Sequence, residues 1–223
     1  SRFRREAKVA SRVNSEHVVR VMDVGTTDAG IPFIVMEMLE GEDLDAILER
    51  DGFVEQTLAV DLVVQTCAAL AEAHAIGIVH RDIKPANLFL THRRDGSPCI
   101  KILDFGISKA QEREGGQSLT GTNATMGSPT HMAPEQWISA KSVDHRSDIW
   151  SLGAVLFELL TGQLAFDGGS MPEICQRVLN QEPIYPEGAI VLPGLKAIIA
   201  RCLEKDPERR FEHVGAMASA LYE

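Results

Sequence analysis

Apolar and polar positions change their period several times along the chain, and each change marks an expected element. At the start, Glu6, Ala10 and Val13 share one helical face while Arg4, Arg5, Lys8 and Arg12 lie elsewhere, which predicts an amphipathic helix. Val- and Ile-rich stretches over residues 17–24 and 32–37, joined by Thr, Asp and Gly residues over 25–30, predict a β-hairpin. Residues 37–41 then turn into a polar, Gly-containing connector, and Asp43 is placed to cap a short helix reaching about Glu49. Residues 56–76 carry Leu58, Leu62, Val63, Cys67, Leu70 and Ala73 on most faces, the mark of a deeply packed helix, and Gly77 ends it. Short strands are expected over 88–90 and 99–103, around a turn at 94–98. Residues 107–130 lose periodicity altogether. The run over 148–160 is almost wholly apolar and stops at Gly162, too short for a bilayer and therefore a buried core helix. Further helices are predicted over 171–179, 195–203 and 213–221.

Composition narrows the class. A chain of 223 residues that is 44% hydrophobic can bury a sizeable core and make one to two domains. With 32 acidic against 22 basic residues and a net charge of -10, a general nucleic-acid binder is disfavoured. Cys67, Cys99, Cys175 and Cys202 are spread singly through apolar patterns without metal-ligand spacing, which points to reduced core thiols. No signal peptide opens the sequence, and no run approaches the ~18 apolar residues of a membrane span, so a soluble, cytoplasmic chain is expected. Opening without Met inside a helix looks like a cut, with a membrane tether of the parent protein left open as something outside these residues.

The densest chemistry lies over residues 80–90, His-Arg-Asp-Ile-Lys-Pro-Ala-Asn-Leu-Phe-Leu, a polar loop between an apolar helix and an apolar strand. About seven of its positions match the catalytic loop of the protein-kinase superfamily. With roughly one chance in twenty per position and 223 starting points, coincidence is on the order of 10⁻⁷. Further motifs follow in order: Asp104-Phe105-Gly106, Ala133-Pro134-Glu135, Asp148-Ile149-Trp150-Ser151-Leu152-Gly153, and Arg210 in Lys-Asp-Pro-Glu-Arg-Arg-Phe. With Phe-Arg-Arg-Glu-Ala at the start, the whole chain is similar to bacterial serine/threonine kinases of eukaryotic type.

The resemblance implies an α+β, kinase-like two-lobe fold: a truncated N-lobe of helix αC and its last strands over residues 1–38, and a complete, mainly helical C-lobe over 39–223. It implies ATP and Mg²⁺ as cofactors, with Asp82 as base, Lys84 on the transferred phosphoryl group, and Asn87 and Asp104 as metal ligands. Lys84, two residues after Asp82, favours Ser/Thr over Tyr as acceptor. On the nucleotide side it implies Glu6 pairing a phosphate-binding lysine, Met36 as gatekeeper, the Glu37 carbonyl and Leu39 N–H at adenine, Asp43 at the ribose, and Phe89 among the nucleotide-binding residues. Arg81 would receive a phosphate from an activation segment carrying Ser118, Thr120, Thr122, Thr125 and Ser128. Structural roles fall to His80 packing under Phe105, to Glu135 pairing with Arg210, and to Asp148 bonding the loop backbone.

Partners implied are protein substrates with Ser or Thr acceptors and a second kinase copy for trans-autophosphorylation, with no nucleic acid and no membrane segment in this chain. Two departures stand out. Gly127-Ser128-Pro129-Thr130-His131 stands where family members usually have Gly-Thr-x-x-Tyr. Neither Gly-x-Gly-x-x-Gly nor Val-Ala-x-Lys precedes Glu6, so these residues alone are expected to bind ATP weakly and to be weakly active or inactive. A pseudokinase scaffold is the alternative, disfavoured because Asp82, Asn87 and Asp104 are all intact. A P-loop switch is disfavoured because its signature is absent.

Overall fold

The computed structural model describes residues 13–103, 129–139 and 143–223. The helix expected through Glu6 and the Asp-Phe-Gly motif lie outside the described residues, as do the hydroxyls from Ser118 to Ser128. Among the described residues are two small sheets and seven α-helices. Strands β1 (Val21–Thr26) and β2 (Pro32–Met36) form the expected antiparallel hairpin. A second sheet has the order β3-β4-β5, from Glu42–Asp43, Leu88–His92 and Pro98–Ile102, all antiparallel.

One expected strand is corrected. Residues 17–19 leave the hairpin and run along β5, where Val19 N–H donates to Ile102 O (3.0 Å) and Ile102 N–H to His17 O (2.8 Å). Burial explains the split: Val18 and Val19 are 6% and 4% exposed, whereas the hairpin beyond them is largely open. This crossing ties the hairpin to the second sheet. Farther along the same edge of β5, Gln65 takes over the pairing, accepting from Ile100 N–H at 3.0 Å and donating to Pro98 O at 3.2 Å. The two-residue strand β3 was not foreseen. Its approach depends on Gly41, at φ +143, where a Cβ would lie 2.0 Å from the Leu90 carbonyl oxygen.

Helix α1 (Leu44–Asp51) opens on Asp43, whose carboxylate accepts from Ala46 N–H. It runs past Glu49 because the stop is Gly52, whose N–H closes onto Leu48 O. Helix α2 (Gln56–Ala75) is long and apolar enough to cross a membrane by length and composition. It lies instead against β5, α4 and α7, with Leu62, Val63 and Leu70 buried, and is a core helix. A short helix α3 (Pro134–Ile138), not separately foreseen, begins within the Ala-Pro-Glu motif, with Ala133 at its N-cap.

Helix α4 (Arg146–Thr161) is the axis of the larger part, with 13 of its 16 residues buried. It begins two residues before Asp148 because Asp144 receives the Arg146 N–H and, through its carbonyl, the Ser147 N–H. Trp150, Leu156 and Phe157 are fully buried. Its end at Gly162 is left-handed, and a Cβ there would meet Gly52 O at 2.0 Å, so the turns after α1 and α4 pack backbone to backbone. Helices α5 (Met171–Asn180), α6 (Pro193–Cys202) and α7 (Val214–Leu221) complete the core. All four cysteines are free, and burial pushes the Cys67 thiol up to about 12, an inert core thiol.

Candidate active site

The loop between α2 and β4 is held from beneath by a single carboxylate. Asp148, fully buried in the first turn of α4, accepts from His80 N–H at 2.9 Å and Arg81 N–H at 2.8 Å, and lies 2.8 Å from His74 Nε2. A helix N-terminus favours negative charge, and donors from three residues replace the water that Asp148 has lost. The grip is needed because Arg81 sits at φ +66, a left-handed conformation unusual for a residue with a side chain. His80 is fully buried, and its Nδ1 accepts the Asp82 N–H at 3.2 Å, in keeping with a structural role.

Asp82 is thereby presented at the loop's outer edge. The 3₁₀ turn Pro85–Asn87 folds the chain back so that Asn87 Nδ2 donates to Asp82 O at 2.8 Å and to its Oδ2 at 3.3 Å. Lys84 Nζ lies 3.6 Å from the same carboxylate oxygen. These three side chains converge as their spacing implied. Asn87 O also accepts from Leu103 N–H at 3.0 Å, which brings the end of β5 to the same point. Asp104 lies outside the described residues.

A hard cation such as Mg²⁺ takes oxygen ligands and keeps bonds to phosphates and water. Asn87 commits its Nδ2 to Asp82, leaving Oδ1 as such a ligand. Among the described residues there is no cluster of three or more His, Cys, Asp or Glu that would hold a metal unaided. The Asn87 amide oxygen fits a Mg²⁺ ion that draws its other ligands from elsewhere.

Among the residues expected at the nucleotide, Asp43 and Phe89 are paired across the second sheet, with Lys101 on the other side of Phe89. Asp43 also caps α1, so one of its oxygens is already engaged. Glu37 bonds Arg20 N–H at 2.9 Å and Lys101 Nζ at 3.0 Å, joining the hairpin to β5. Partial burial works against its ionised form, but the Arg20 amide and the Lys101 ammonium outweigh this and hold its carboxyl below the ordinary range. Met36 is 40% exposed and Leu39 half-buried. Glu6 lies outside the described residues.

Glu135 and Arg210 form the expected pair, bidentate at 2.8 Å for both bonds, with Arg210 also donating to Glu204 O and Arg146 O. His131, in the place of the family's aromatic residue, is buried. Its Nε2 lies 2.8 Å from Glu158 and its Nδ1 3.1 Å from Thr130 Oγ1. A cavity of about 320 Å³ opens here, lined by Lys84, Thr130, His131, Glu158 and Asp45. Partial burial, then the charges of Glu158, Asp43 and Glu49, raise the Asp45 carboxyl above its ordinary range. Phe105, Ser118, Thr120, Thr122, Thr125 and Ser128 lie outside the described residues.

Two contributors were not read from the sequence. His74 bonds Asp148, and Gln136 Nε2 donates to Arg81 O at 2.9 Å. Each acts on a group distant in sequence, and only the position of Gln136 directly after Ala-Pro-Glu could have drawn notice.

A family model described as protein kinase domain matches residues 1–221. Serine/threonine-protein kinase pkn3 of Myxococcus xanthus is 38% identical over 226 residues, taking in 99% of this chain and 41% of pkn3. PknB of Mycolicibacterium smegmatis is 36% identical over 225 residues, again 99% of this chain and 35% of PknB. Pkn1 of Myxococcus xanthus is 38% identical, with 31% of its length covered. The chain thus spans less than half the length of these curated relatives.

Proposed function

Because the chain belongs to the protein kinase domain family, we propose that the full-length protein is a serine/threonine kinase that transfers the γ-phosphate of ATP to Ser and Thr hydroxyls of proteins. One observation carries this: Asp82 is held at a loop edge by the Asn87 amide and faced by Lys84 at 3.6 Å. Phosphoryl transfer asks little covalent work of a protein; it needs an oriented hydroxyl and neutralised charge. Asp82 orients the acceptor hydroxyl and takes its proton, and Asn87 keeps the carboxylate turned toward it. Lys84 supplies positive charge where the transferred group passes. ATP supplies the phosphoryl group, and Mg²⁺ held by Asn87 and Asp104 would neutralise its phosphates.

Regulation belongs to the same reading. A phosphate on Ser118, Thr120, Thr122 or Thr125 would offer Arg81 close to two negative charges and three acceptor oxygens. Mass spectrometry of active full-length protein should find phosphate within residues 118–125, and replacing all four hydroxyl residues by Ala should lower activity. A phosphate-free segment in active protein would contradict this.

The function itself is tested by incubating full-length protein with labelled ATP and a mixed protein substrate, followed by phosphoamino-acid analysis. Phosphoserine and phosphothreonine should dominate, and Lys84→Met should lower transfer by about 10²-fold. Label mainly on tyrosine, or an unaffected Lys84→Met variant, would overturn the assignment.

A further inference from the structure

Arg81 is the strained residue directly before Asp82, and both its peptide groups are tied to other elements. Its N–H donates to Asp148 of α4 at 2.8 Å, and its carbonyl accepts from Gln136 Nε2 of α3 at 2.9 Å. A peptide unit is planar, so the Arg81 carbonyl and the Asp82 N–H turn together. The Asp82 edge of that plane is held by His80 Nδ1 at 3.2 Å, and the Arg81 edge by Gln136. A left-handed residue bearing a side chain is strained and persists only where its surroundings over-determine it.

The orientation of the Gln136 amide is settled by its two partners. Its Oε1 accepts from Ala133 N–H at 2.9 Å, a free donor at the start of α3, so its NH₂ must face the Arg81 carbonyl. The neighbouring Glu135 anchors α3 through the bidentate contact with Arg210. Gln136 thus joins a braced helix to the peptide that aims the base.

We propose that Gln136 is a positioning residue for Asp82, acting through the Arg81–Asp82 peptide plane. This rests on the kinase reading for its consequence in rate, while the geometric claim stands apart from it. The alternative is that Gln136 only caps α3, and the two bonds of one side chain separate the cases. Gln136→Glu keeps an acceptor for Ala133 N–H but has no donor for the Arg81 carbonyl and sets a negative charge against it. Gln136→Met removes both bonds at similar volume.

The test uses full-length protein and three readouts: amide exchange of residues 80–83, kcat and KM for ATP and a protein substrate, and thermal midpoint. In Gln136→Glu, exchange at Arg81 and Asp82 should quicken and kcat should fall about tenfold to a hundredfold, with KM for ATP within about twofold and the midpoint near wild type. Gln136→Met should show the same loss of kcat. Unchanged exchange at these amides, or kcat within about twofold of wild type in Gln136→Glu, overturns the proposal. Should wild-type protein transfer no phosphate, the kinase reading falls, and the exchange data still decide the role of Gln136.

Discussion

At the scale of single residues, Asp148 sets the loop. Its carboxylate is fully buried and receives two backbone N–H groups together with the His74 ring. Asp148→Ala leaves those donors unpaired in the core and should cost about 3–5 kcal/mol in chemical denaturation, with activity lost as well. His74→Leu should cost less, because the two backbone bonds remain. Asp82, Lys84 and Asn87 were legible because a short loop must bring nearby residues together whatever surrounds it. Gln136 and His74 were not, since Gln136 bonds a carbonyl 55 positions away and His74 a carboxylate 74 positions away. Spacing along one segment carries no trace of such partners.

At the scale of elements, α4 gives the rest something to pack on. Trp150 stacks on Phe166 with centroids 5.4 Å apart, and the Arg210 guanidinium lies 5.1 Å from the Trp150 ring. Leu156 is fully buried, so Leu156→Ala should lower unfolding free energy by about 2–5 kcal/mol. Amides along Arg146–Thr161 should be among the slowest to exchange, and rapid exchange there would contradict its central place. The apolar period revealed this helix and α2 in the sequence, because burial on nearly all faces leaves few polar positions. Residues 17–19 were misjudged for a related reason: an apolar, β-branched run announces a strand without saying which neighbour it joins. Strand β3 and helix α3 are too short to show a period at all.

At the scale of the whole molecule, the hairpin and the second sheet are joined by the residues 17–19 crossing and by the Glu37–Lys101 ion pair. Glu37 has its carboxyl depressed in the folded protein, so its contribution is present above the ordinary carboxylate range and is lost as pH falls through the folded value. Lys101→Met should therefore be less stable than wild type by about 0.5–1 kcal/mol near neutrality, with the gap closing on acidification. Thermal midpoints of both proteins across the acid range check the sign. The hairpin and the mainly helical character of the rest were legible, because the pattern changes from period two to helical spacing after the second hairpin strand.

The proposed function turns on one carboxylate held against an acceptor hydroxyl, and Asp82→Asn tests that most directly. Full-length wild type and variant would be compared for phosphate transfer from ATP to protein Ser and Thr, with circular dichroism and thermal midpoint as controls. The amide keeps shape and hydrogen bonding but cannot take a proton, so transfer should fall by about 10²–10⁴-fold while the fold and midpoint stay close to wild type. Near-wild-type transfer by a folded Asp82→Asn protein would contradict the account.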